Sequence, residues 1–151
     1  MRKHTRRKHW NLVDPIAHAI AGAAITTKEH LDKLMLLELS SLDAMTHGRA
    51  GTSDWKDLTD VLNLCETMAK GGIGPEALPY CEVAEEALKQ AAYRYQQTMK
   101  MGLSGTGLTA MKHLLEYHQL QRISISRSEY ERWIQKTRNK ILSKAKDVVE
   151  I

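Results

Sequence analysis

The sequence predicts an all-α fold, a single-domain bundle of about six helices. Apolar residues recur at steps of three and four through most of the chain, glycine and proline gather into a few breaks between those runs, and no segment alternates apolar and polar residues as a strand would. The chain has 151 residues, 42% hydrophobic and 26% charged, with Gly 9 and Pro 3. It is long enough to bury its own core, and this composition excludes a wholly disordered or collagen-like chain. No apolar run approaches the ~20 residues of a membrane helix, so no membrane partner is expected.

Asp14 followed by Pro15 makes an N-cap and first helical residue, and a short helix is expected from about Pro15 to Ala24. A basic start followed by Ile16 to Ile25 imitates a signal peptide, but Asp14, Pro15 and His18 interrupt it, and the segment is expected to belong to the fold. Thr26 with Glu29 forms a capping-box signature for a second helix reaching about Thr46. Its Leu31, Leu34, Met35, Leu42 and Met45 lie at helical spacing, while Leu36, Leu37 and Leu39 widen the apolar arc and imply neighbours on more than one side.

Thr52 or Ser53 is expected to cap a third helix with Trp55, Leu58, Leu62, Cys65 and Met68 on its inner face and Gly71 and Gly72 at its end. After a turn at Gly74 to Pro79, a long helix carries Cys81, Ala84, Leu88, Ala91, Tyr95 and Met99 inward, its alanines allowing close approach by another helix. Gly102, Gly105 and Gly107 suggest a loop before a fifth helix from about Leu108 to Gln121. Ser126 or Ser128, with Glu129 or Glu131, can cap a sixth running to about Val148, with Tyr130, Ile134, Thr137, Ile141, Ala145 and Val148 as its stripe.

The net charge of +4 is unevenly spread: residues 1 to 10 carry +5, residues 11 to 110 carry −5, and residues 111 to 151 carry +4. Residues 1 to 12 therefore read as a basic N-terminal arm and residues 13 to 151 as the helical domain. An acidic middle between basic ends points to an anionic partner. Arg2, Lys3, Arg6, Arg7 and Lys8 form an arm able to neutralise phosphates, with Trp10 just beyond. Arg132, Lys136, Lys140 and Lys144 step by four along the last helix, near Arg127.

Other chemistry is poorly supported. His113 and His118 are five apart, about 140° round a helix, where a zinc helix places two His four apart; with Glu116 they are expected to be solvated or packed, and no metal is expected. The segment Gly102 to Gly107 lacks the Lys-Ser/Thr pair of a phosphate loop. Cys65 and Cys81 are too few and too far apart for a zinc site or a disulfide framework and are expected to be buried and reduced. No nucleophile stands with a base, so neither an enzyme nor a cofactor is expected.

Ile125-Ser-Arg-Ser-Glu-Tyr-Glu-Arg-Trp-Ile134 resembles the turn and recognition-helix start of factor-for-inversion-stimulation-type regulators, departing from them at Ser124, Glu129 and Glu131. Over more of its length the chain resembles a family of small, uncharacterised proteins of bacterial prophages and mobile elements. Arg6-Arg-Lys-His9, Pro15-Ile-Ala-His-Ala-Ile-Ala-Gly-Ala-Ala24, Asn63-Leu-Cys-Glu-Thr-Met-Ala69, Gly72-Ile-Gly-Pro-Glu-Ala-Leu78 and Ser126-Arg-Ser-Glu-Tyr-Glu131 carry that resemblance. It implies a bacterial, cytoplasmic setting. The expected function is non-enzymatic nucleic-acid binding through Arg2, Lys3, Arg6, Arg7, Lys8, Arg127, Arg132, Lys136, Lys140 and Lys144. The alternative is a protein-interaction module, an inhibitor of a host protein or an assembly subunit, with a host or phage protein or a second copy of the chain as partner.

Overall fold

A computed structural model describes residues 28–144 and Ile151. The fold is all-α. Among the described residues there are five α-helices: α1 (Lys28–Thr46), α2 (Thr52–Lys70), α3 (Leu78–Thr98), α4 (Gly105–Ile123) and α5 (Arg127–Ser143), with a 3-10 turn at Pro75–Ala77 before α3. The expected helix at Pro15 to Ala24 and the stripe positions Ala145 and Val148 lie outside the described residues.

Helices α1 to α4 form a four-membered ring in which each packs on the next and α4 returns to α1, while α2 and α4 also meet across the diagonal. α5 lies outside the ring, on α2. The core holds the residues that the three-four spacing selects: Leu42 and Met45 from α1, Trp55, Leu58, Leu62 and Cys65 from α2, Cys81, Ala84, Leu88 and Ala91 from α3, and Met111, Leu114 and Leu115 from α4. Met68 is also fully buried. The Trp55 indole N–H, which burial would otherwise leave unpaired, donates to the Leu88 carbonyl at 2.8 Å and fixes α3 against α2.

Local chemistry moves three of the expected boundaries. α2 is capped by Gly51 rather than by Thr52 or Ser53, with Asp54 reaching back to accept from the Gly51 amide at 2.9 Å. Met99, expected on the inner stripe, is 70% exposed, because it takes the left-handed conformation (φ 58°) that ends α3. The stretch expected as a loop at Gly105 to Gly107 is the first turn of α4, since Ser104 caps it by accepting from the Gly107 amide at 3.1 Å. Gly107 is there because α3 comes so close: a Cβ on it would stand 2.5 Å from that of Ala87. The alanine-bearing face of α3 thus receives α4, and this is the most extensive helix pairing in the ring.

Candidate functional site

Of the ten cationic residues expected to contact nucleic acid, Arg2, Lys3, Arg6, Arg7 and Lys8 lie outside the described residues; Arg127, Arg132, Lys136 and Lys140 stand on α5, and Lys144 caps its C-terminal end. That helix begins at Arg127 because Ser126 Oγ accepts from the Glu129 amide at 3.2 Å. Only Ser124, Ile125 and Ser126 separate it from α4, with Ile125 buried. Trp133 lays its ring over the glycine at the end of α2: a Cβ on Gly71 would meet Trp133 Cη2 at 2.2 Å. Thr137 is buried on the same side, and Ile134 and Ile141 are half-buried.

The five cations do not share one face. Each step of four advances about 40° round a helix, so the series from Arg132 to Lys144 rolls from the outer surface toward α2. Arg132 and Lys136 are exposed, Lys136 lying 4.7 Å from the centre of the Trp133 ring in a cation–π contact. Lys140 and Lys144 line a groove of about 430 Å³ between α2, α3 and α5. Arg127, five residues from Arg132, is turned elsewhere and pairs with Glu131 at 3.4 Å.

Lys70 of α2 and Lys89 of α3 also border the groove, as do Glu66 and Glu85. The two glutamates are engaged: Lys70 pairs with Glu66, and Lys89 with Glu85 at 2.9 Å, contacts that raise both ammonium groups above their ordinary value. Lys140 and Lys144 have no carboxylate at ion-pair distance among the described residues. The groove therefore carries four lysines against two glutamates, with Thr59, Asn63, Thr67 and Thr137 offering further polar groups. No regularity in the sequence links residues 70 and 89 to residue 140, because α2, α3 and α5 meet only in the tertiary fold.

Beneath the start of α5 lies a buried polar network. Arg122 of α4 donates to Glu38 of α1 through Nη1 (3.0 Å to Oε2) and Nη2, and through Nε to the Tyr130 hydroxyl of α5 at 3.0 Å. Tyr130 Oη stands 3.1 Å from His118 Nε2, and His118 Nδ1 stands 2.8 Å from Gln121 Oε1. Gln121 Nε2 donates to the carbonyls of Ile73 (2.7 Å) and Cys65 (3.2 Å). The donor inventory sets the protons. Both amide hydrogens of Gln121 go to carbonyls, so its oxygen accepts from His118 Nδ1–H. His118 Nε2 is then the acceptor, and the Tyr130 hydroxyl donates to it while accepting from Arg122.

This arrangement requires neutral His118. Burial, with the nearby Arg122 charge, lowers its pKa to about 3. Burial raises the Glu38 carboxyl above its ordinary value, the Arg122 hydrogen bonds and charge holding it back. Every group in the network is engaged with another, and no described buried side-chain N or O atom lacks a partner. His118 is thus packed, as the sequence suggests, and the half-buried His113 lies 3.6 Å from Glu116. Among the described residues no three His, Cys, Asp or Glu side chains are grouped to hold a metal.

The network escaped the sequence reading, yet a signal exists. Glu38 falls on the inward stripe of α1 with Leu31, Leu42 and Met45, and Arg122 falls on that of α4 with Leu115 and His118. A charge of each sign on two inward stripes is the sequence mark of a buried pair.

Comparison with protein-family models, with curated proteins and with solved structures finds no match in any of the three. No helix among the described residues is long and apolar enough to cross a membrane.

Proposed function

We propose that this chain is a non-enzymatic binding protein that engages nucleic acid, with α5 and the lysine-bearing groove beside it as the contact surface. The observation that carries the reading is the set of cations on and at the end of a peripheral helix that have no carboxylate at ion-pair distance among the described residues. Arg132 and Lys136 face outward, and Lys140 and Lys144 turn into a groove that also receives Lys70 and Lys89. A phosphate backbone is the partner chemistry such a surface suits, since each phosphate neutralised releases counterions. The basic residues Arg2, Lys3, Arg6, Arg7 and Lys8 would add to the attraction. The three-residue connector between α4 and α5 has the length of a helix-turn-helix turn, which supports duplex DNA over single strands. Glu129 and Glu131 in the first turns of α5 argue against base reading by that end of the helix and weaken its attraction for phosphate, which leaves the contact to the cations farther along. The resemblance to prophage proteins supports a bacterial mobile-element setting in the cytoplasm.

Fluorescence anisotropy with a labelled duplex at low salt tests the reading. The full chain binds, and replacing Lys136, Lys140 and Lys144 with alanine weakens binding at least tenfold with the helical circular dichroism unchanged. Equal affinity of the variant and the parent would overturn it.

One observation favours a second reading. Leu36 and Leu37 on α1 are 68% and 66% exposed, on the side away from the ring, where a protein partner or a second copy would bury them. Light scattering separates the two: a stable oligomer lost on Leu36→Glu with Leu37→Glu supports the interaction module.

A further inference from the structure

Cys65 of α2 and Cys81 of α3 face each other inside the core, with their sulfurs 4.0 Å apart and the side chains 0% and 1% exposed. No disulfide joins them. We propose that they form a redox-active dithiol, a modification site that a hydroperoxide converts into an intramolecular disulfide between α2 and α3.

The placement suits that bond. A disulfide brings its sulfurs to about 2.05 Å, so the pair must close by roughly 2 Å. α2 and α3 already pack together, and the short connection at 71–77 holds them in place. One turn on from Cys65 stands Ala69 and one turn on from Cys81 stands Ala84, both small and buried. The sulfur–sulfur contact holds the Cys81 thiol below its ordinary value, with Lys70 adding to the effect, while pushing Cys65 up. In the proposed step Cys81, whose thiolate the nearby Lys70 charge favours, is the attacking sulfur, since the thiolate is the nucleophile.

The Cys81 thiolate attacks one peroxide oxygen, the O–O bond breaks, and the departing hydroxide takes a proton to leave as water. Cys81 is then a sulfenic acid. The Cys65 sulfur displaces that hydroxyl: the S–S bond forms, the S–O bond breaks, and the hydroxyl leaves with the Cys65 proton as a second water. Two thiols are oxidised and one peroxide is reduced. Because both sulfurs are closed to solvent, a small neutral oxidant such as hydrogen peroxide is the class that fits, entering as α2 and α3 open locally.

The test treats the full chain with hydrogen peroxide beside reduced glutathione as an exposed reference thiol, then blocks free thiols and maps the peptides by mass. The expected product is monomeric, lighter by the mass of two hydrogen atoms, with the Cys65 and Cys81 peptides linked and freed again by dithiothreitol. A Cys65→Ser variant stops at a Cys81 sulfenic acid trapped by dimedone; should that variant fail to fold, the wild-type map decides alone. Both thiols still free once glutathione is consumed, or oxygen added to them with no 65–81 link, overturns the proposal.

Discussion

The guanidinium of Arg122 on α4 grips the carboxylate of Glu38 on α1 with both arms of its fork, at a site where the two residues are 4% and 6% exposed. Two buried charges tolerate the loss of both far better than the loss of one, because a lone buried ion keeps its desolvation cost and loses its partner. Arg122→Met alone should lower the unfolding free energy by about 3–5 kcal/mol. Adding Glu38→Leu should restore most of that loss. Urea unfolding of the two single variants and the double variant measures the cycle.

His118 ties stability to pH. Its pKa in the folded chain is lowered to about 3 against an ordinary 6.5, so the unfolded chain binds the proton more readily. The contribution is present in full above pH 6.5 and is lost progressively as the pH falls toward 3. Across that span the loss is about 4–5 kcal/mol, at about 1.4 kcal/mol for each unit. Unfolding midpoints measured between pH 7 and pH 4 should fall steadily, and His118→Gln should flatten the decline. An equal pH dependence in the variant would contradict the assignment of neutral His118.

Two glycines mark the closest approaches. A Cβ on Gly107 would stand 2.5 Å from Ala87 Cβ, and one on Gly71 would stand 2.2 Å from the Trp133 ring. Gly107→Ala forces α3 and α4 apart, and the expected cost is about 1–3 kcal/mol as for other overpacked sites. Gly71→Ala displaces only α5, so it should shift tryptophan fluorescence and weaken duplex binding at smaller cost to overall stability. Thermal unfolding followed by circular dichroism distinguishes the two.

How far the chain could be read without coordinates follows from what each feature depends on. The helices and their inner faces were legible because periodicity is local: Trp55, Leu58, Leu62, Cys65 and Met68 are all buried on α2 as their spacing requires. The start of α4 was not, because Gly105 and Gly107 look like a loop until the approach of Ala87 gives Gly107 its reason. The cations along α5 were visible as a run of fours, but where each one points depends on the 40° drift per step and on which side of α5 meets α2. The groove joining Lys70 and Lys89 to Lys140 depends on tertiary neighbours that no local pattern encodes, and the Glu38–Arg122 pair, 84 residues apart, shows locally only as a charge on each of two inward stripes.

The salt dependence of duplex binding tests the nucleic-acid reading most directly. Removing two phosphate contacts lowers the log–log slope by about 1.8, at about 0.9 for each phosphate on B-DNA. A Lys140→Ala, Lys144→Ala chain should show that reduction against the parent across a series of salt concentrations, with weaker binding at each one. A slope identical to the parent's would mean that these lysines meet no phosphate, and it would contradict the account.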